Sequence, residues 1–95
     1  MDTTETFDYV VVGAGSSGAT VAHRLAAQPG ICVLLLEAGA PRQNDFWVRT
    51  PLGIGKLLLN PDYVWPFETE PQAALDGKRI YWPRGRLPGG SSSVN

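Results

Sequence analysis

Ninety-five residues allow one small domain, able to bury roughly 60–65% of its extended-chain surface. A net charge of −1, with 18% charged residues, leaves no basic footprint for nucleic acid or an anionic membrane. The 43% hydrophobic share is ordinary for a globular protein, but eleven Gly and eight Pro, concentrated after residue 39, make the second half rich in loops.

The chain opens on "MDTTET", acidic and polar where a secretory leader would carry positive charge and then an apolar run. A cytoplasmic protein is the expectation. In "FDYVVVGAG", continuous apolarity from Phe7 to Val12 predicts a strand covered on both faces, as in a parallel sheet. The run is far too short to span a bilayer. "SSGATVAHRLAAQPG" places Ala19, Ala22, Leu25 and Ala26 at helical spacing before Pro29-Gly30 ends the pattern. His23 stands beside Arg24 on that helix with no carboxylate or nucleophile spaced to work with it, so it reads as a solvated position. "CVLLLEAG" predicts a second buried strand ending at Glu37. Cys32 reads as a small apolar group on that strand. As the one cysteine, it offers neither a disulfide within the chain nor a thiolate metal site. Strand, helix and strand together make a βαβ unit with parallel strands and a right-handed crossover.

After Gly39 the rhythm breaks. "APRQNDFWVRTPLGIGKLLLNPDYVWP" predicts an extended excursion with one helical turn near Lys56–Leu59. "FETEP" and "GKRIYWPRG" then predict two short extended segments joined through Asp76-Gly77, a dipeptide suited to a tight turn. A doubly wound sheet needs more strands than the two found here. Residues 1–95 therefore read as the N-terminal part of a nucleotide-binding domain that continues past Asn95, packed against the remainder as a second polypeptide or missing segment.

The chemistry begins at "GAGSSG", Gly13 to Gly18, with the G-x-G-x-x-G spacing directly after a predicted strand and at the start of a predicted helix. Gly13 permits the tight turn, Gly15 lets a pyrophosphate approach the backbone, and Gly18 lets helix and strand pack closely. The helix N-terminus turns free N–H groups and positive dipole toward the phosphates. Glu37 ends the second strand, where a carboxylate accepts hydrogen bonds from a ribose. That acid disfavours a 2′-phosphate and hence NADP, leaving NAD and FAD.

The last stretch, "YWPRGRLPGGSSSVN", offers the amides of Gly85, Gly89 and Gly90, the hydroxyls of Ser91 and Ser92, and the charges of Arg84 and Arg86. Taken alone it is either a flexible Gly/Ser linker or a loop that grips a ligand at backbone distance. The run Tyr81-Trp82-Pro83-Arg84 leading into it argues for the loop.

"DYVVVGAGSSG", "VLLLEAG", "YVWPFETEPQ" and "GKRIYWPRGRLPGGSSSVN", in this order and spacing, resemble the N-terminal part of the glucose–methanol–choline (GMC) flavoprotein oxidoreductases, particularly their choline dehydrogenase-like bacterial branch. The resemblance runs from Phe7 to the last residue. It implies an α/β fold: an incomplete Rossmann-like FAD-binding domain, a βαβ unit with extended loops and a short hairpin, from a two-domain enzyme. It further implies that Gly13, Gly15, Ser16, Ser17 and Gly18 line the FAD pyrophosphate, that Glu37 holds the ribose with Ala38 beside the adenine, and that Trp65 lies near the adenosine end. Arg84, Gly85, Leu87, Gly89, Gly90, Ser91 and Asn95 would form the loop that passes the pyrophosphate and reaches the isoalloxazine. Pro88 departs from the family's usual aliphatic residue. Val94 occupies a position where some members attach FAD through a His, which implies a non-covalent flavin here.

The implied activity is oxidation of a primary or secondary alcohol by hydride transfer to FAD. The family's catalytic base, a His paired with a second His or an Asn, lies far beyond Asn95, so no catalytic residue and no metal ligand is nominated in this chain. Lyase or light-driven decarboxylase chemistry at the same flavin is the alternative activity, and a non-catalytic nucleotide-binding module is the alternative class.

Overall fold

A computed structural model describes residues 4–95; the first three residues of the acidic opening lie outside it. The βαβ unit forms as predicted: β1 (Tyr9–Val12), α1 (Ser16–Ala26) and β2 (Val33–Leu36), with the strands parallel in the register Tyr9↔Val33 to Val12↔Leu36. The amide of Gly13 continues the ladder one step beyond β1 by donating to the Leu36 carbonyl (2.7 Å). The strand is shorter than the apolar run: ahead of it the amides of Asp8 and Tyr9 share the Cys32 carbonyl (2.9 and 3.3 Å), and the Asp8 carboxylate takes the Cys32 amide at 2.8 Å.

Small residues bring α1 onto the sheet. A Cβ on Gly18 would stand 1.9 Å from the Gly13 carbonyl oxygen and 3.5 Å from Val11, and Ala22 is the buried residue of the helix. Only this face is covered. Val10 and Val12 alternate to the opposite face, where Val12 is 82% exposed. The two-sided burial implied by the continuous apolar runs is thus not realised within these residues. Cys32 is a second correction: it lies exposed, just ahead of the paired segment. An apolar neighbourhood in sequence does not bury a side chain when the second covering layer is absent. His23 is exposed on α1, as expected.

The excursion after β2 is more regular than predicted. Two single-turn helices, α2 (Phe46–Arg49) and α3 (Ile54–Leu57), flank a 3-10 turn at Pro51–Gly53, so the predicted turn at Lys56–Leu59 begins earlier. Tyr63 anchors this segment by donating its hydroxyl to Asp45, while the Arg42 guanidinium lies over its ring at 4.8 Å. That hydrogen bond to Asp45 raises the Tyr63 pKa, aided by burial and the carboxylate charge, because a phenolate there would face an anion.

The predicted extended segments pair into one antiparallel arm. β3 (Val64–Trp65) pairs with β4 (Arg84–Gly85), and the same register continues to Glu68↔Tyr81 before slipping by one residue at Gln72↔Lys78. Asp76 (φ 53°) and Gly77 (φ 73°) form the tip, but they follow a 3-10 turn at Ala73–Leu75, so the connection is longer than a two-residue turn. The arm projects. The radius of gyration is 17.1 Å, against about 13 Å for a compact domain of this size.

The core sits at the arm's base. Leu57, Val64, Leu87 and Val94 form it, with Val48, Leu58 and Tyr63 packed alongside. Leu87, fully buried, comes from the closing loop and fills the junction between α3 and β3. Among the described residues no helix is long and apolar enough to cross a membrane.

Two outcomes follow for the full-length protein carrying this chain. Leu87→Ala removes the buried plug and lowers the unfolding free energy by about 2–5 kcal/mol, measured by denaturant unfolding. The stability supplied by the neutral Tyr63 is complete below about pH 10 and disappears as pH rises through its raised pKa. A melting-temperature series across that range therefore falls more steeply for the unmodified protein than for Tyr63→Phe.

Candidate functional site

The turn from β1 into α1 is built of backbone. Gly13 has φ +96°, a conformation that favours glycine, and this reverses the chain at the strand end. Gly15 caps the helix in an extended conformation with no side-chain cap. The first amide to find a helical acceptor is that of Ala19, which donates to the Gly15 carbonyl (2.9 Å). Among the described residues the amides of Ser16, Ser17 and Gly18 have no partner, and no acidic side chain occupies the first turn. These are the orphan donors of a helix N-terminus, suited to an anion. A Cβ on Gly15 would meet nothing within 4 Å, so the space beside it is open.

Glu37 holds this turn in place. One carboxylate oxygen accepts the Ala14 amide at 2.8 Å and the other accepts the Gly39 amide at 2.9 Å. The carboxylate therefore joins the ends of β1 and β2 across the mouth of the sheet.

The closing loop returns to the same place from the other end of the chain. The Gly89 amide donates to the Ala14 carbonyl (2.7 Å), and the hydroxyls of Ser16 and Ser92 share a hydrogen bond of 2.7 Å. Gly89 (φ +94°) and Gly90 (φ +63°) are successive left-handed residues, which folds the loop back on itself. A Cβ on Gly90 would stand 3.0 Å from the Gly15 Cα. Gly85 is packed as tightly, since its Cβ would lie 2.4 Å from the Gly90 carbonyl, and its amide donates to the Ser91 hydroxyl at 3.0 Å.

Between the two loops lies an open cleft of 530 Å³, lined by Val12, Gly13, Gly15, Leu36, Glu37, Ala38, Trp65, Gly85, Gly90 and Ser91. Eight of these residues were nominated from the sequence. Val12 and Leu36 were read only as strand residues. They are the last residues of two parallel strands, the place where α/β sheets bind ligands, and that signal could have found them. A second cleft of 400 Å³ lies along the closing loop, between Ile54, Leu58, Pro83, Arg84, Ser91, Ser92, Val94 and Asn95. Ser91 lines both.

The remaining nominated residues divide by role. Arg84 and Asn95 belong to the second cleft, while Ser16, Ser17 and Gly18 make the first turn of α1. Gly89 ties the two loops together. Leu87 differs from the sequence expectation, because its side chain points into the core and lines neither cleft. Val94 is nearly as buried and still reaches the second cleft.

Comparison with known proteins gives three kinds of match. A family model described as lycopene cyclase protein matches residues 8–80, ending before the closing loop. An uncharacterized GMC-type oxidoreductase of Mycobacterium tuberculosis is 51% identical over 88 residues, which are 93% of this chain and 16% of that protein. An alcohol dehydrogenase [acceptor] of Pseudomonas putida is 47% identical over 89 residues, 94% of this chain and 16% of the relative. Among solved structures, pyridoxine 4-oxidase from Mesorbium loti superposes with a TM-score of 0.86 at 40% identity, covering 95% of this chain and 17% of the other. The chain thus spans about one sixth of the length of the relatives it matches. Their similarity necessarily includes Arg84–Leu87, since at most seven residues of the chain fall outside it.

The two helix-turn glycines have separable consequences. Gly18→Ala drives a Cβ into the Gly13 carbonyl and lowers the melting temperature of the full-length protein markedly. Gly15→Ala enters open space at a φ of −75° that any residue adopts, and it leaves the melting temperature in the absence of ligand unchanged.

Proposed function

This chain belongs to the GMC-type oxidoreductases, and on that footing we propose that it forms the FAD-binding part of an enzyme that oxidises an alcohol. The observation that carries the reading is the cleft itself. Two glycine loops from opposite ends of the chain leave a backbone-walled groove beside free helix-terminal amides, with one carboxylate at its edge. An elongated dinucleotide with a central pyrophosphate and a ribose diol fits that donor set. The lycopene cyclase match covers the βαβ unit but not the loop that completes this groove.

In this reading the amides of Ser16, Ser17 and Gly18 donate to the pyrophosphate, with Gly13 and Gly15 allowing the close approach. Glu37 accepts a ribose hydroxyl, and Ala38 and Trp65 flank the adenosine. Gly85, Gly89, Gly90 and Ser91 carry the closing loop past the pyrophosphate, and Arg84 and Asn95 extend it along the second cleft toward the ring system. Leu87 contributes by anchoring that loop in the core. Bound there, FAD supplies the acceptor for a hydride from the alcohol carbon. Val94 offers no nucleophile, so the flavin is held non-covalently. The proton-accepting groups and the substrate pocket lie outside these 95 residues.

The test is the absorption spectrum of the purified full-length protein, followed by flavin reduction on adding primary and secondary alcohols without oxygen. The two bands of oxidised flavin, bleached by an alcohol, are the expected result; a colourless protein that takes up no FAD would refute the reading. Gly15→Val abolishes flavin retention by filling the approach to the pyrophosphate. Glu37→Ala weakens FAD binding by about 1–3 kcal/mol through the lost charged acceptor. An unchanged affinity would place the ribose elsewhere.

A further inference from the structure

Trp65 is the aromatic side chain on the wall of the first cleft, in company with Leu36, Glu37 and Ala38. Its position follows from the antiparallel pairing at the base of the arm. Trp65↔Arg84 and the Arg86 amide donating to the Tyr63 carbonyl (2.7 Å) put residues 63, 65, 84 and 86 on one face of the ribbon. Trp65 and Arg86 are then diagonal neighbours, within reach for long side chains. The Arg86 guanidinium carbon lies over the indole, 5.0 Å from the ring centroid.

Two contacts hold Arg86 there. One terminal nitrogen donates to the Pro61 carbonyl at 2.9 Å. Its own carbonyl oxygen lies so close to Gly39 that a Cβ there would stand 2.0 Å away. Its Nε is buried and has no hydrogen-bond partner among the described residues. Among those residues the guanidinium thus makes one hydrogen bond, to Pro61, and lies over the indole face. Arg86 is not among the residues that line either cleft, and its contact with the wall of the first runs through Trp65. Phe67 stacks beside the same indole, with centroids 6.1 Å apart and planes 9° from parallel, which limits the ring's remaining freedom.

We propose that Arg86 is a positioning residue. It fixes the Trp65 indole at the adenosine end of the cleft and so sets the preference for FAD over a flavin that lacks adenosine. This inference rests on the FAD reading above. It differs from a role in gripping the phosphate next to the riboflavin, which FAD and FMN share, and from one in gripping the adenylate phosphate, whose loss would add to that of Trp65.

The experiment titrates the deflavinated full-length protein with FAD and, separately, with FMN, following flavin fluorescence. Arg86→Met raises the Kd for FAD about three- to tenfold, the scale of a partly desolvated cation–π contact, and leaves that for FMN unchanged. Trp65→Ala shows the same selectivity, and the double variant binds FAD no more weakly than Trp65→Ala alone. Arg86→Lys, which keeps charge but not the planar fork, recovers part of the FAD affinity; it also decides the matter if Arg86→Met does not fold. Equal losses for FAD and FMN, or additive losses in the double variant, would overturn the proposal. If the unmodified protein binds FAD and the Arg86 variants bind it as well, this inference alone falls. If the unmodified protein takes up no FAD, the reading of the cofactor falls first.

Discussion

Two backbones meeting at contact distance hold this part of the molecule together. The turn after β1 and the loop before Asn95 approach so closely that a Cβ on Gly90 would stand 3.0 Å from the Gly15 Cα. The hydroxyl pair Ser16–Ser92 bridges 76 positions of sequence at the same place. A side chain at position 90 would push the loops apart, and the groove between them would lose its lining of amides. Glycine at position 90 is therefore a steric requirement of the fold, whereas at position 15, where a Cβ would enter open space, it is one of binding. The entropy of closing so long a loop rises slowly with its length, so the contact needs only a modest anchor.

Leu87 is that anchor. It sits between the glycine of the arm and the paired glycines of the loop, and its burial against Leu57, Val64 and Val94 converts apolar area into a fixed loop path. Elsewhere the described residues bury little. Six hydrophobic residues are buried, while the aromatic side chains of the arm and the outer face of β1 and β2 stand open. The stabilised region is thus small, and it is concentrated where the two loops cross.

Glu37 links the same region to the sheet. A carboxylate offers about four acceptor positions, and two are taken by the amides of Ala14 and Gly39. The remaining capacity faces the cleft that Glu37 lines. One side chain therefore shapes the empty groove and still has acceptors for a diol. Gly39 in turn packs beneath the Arg86 and Leu87 backbone, so the carboxylate, the closing loop and the core form one connected unit.

The βαβ unit, its parallel direction and the backbone tasks of Gly13 and Gly18 were legible because they are local. Residue periods of two and 3.6, a glycine spacing and an acid at a strand end are written within about thirty consecutive residues. The arm was legible in outline from its turn dipeptide, and the closing loop from its resemblance to a known pattern. What the sequence could not reveal depended on segments far apart. The burial of Leu87 in the core, the exposure of Cys32, the engagement of Glu37 with two amides and the placing of Arg86 over Trp65 arise only when separate elements come together in space. Sequence patterns determine which backbone each segment prefers; tertiary packing decides which side chains those backbones bring into contact, because contact energy depends on distance in space.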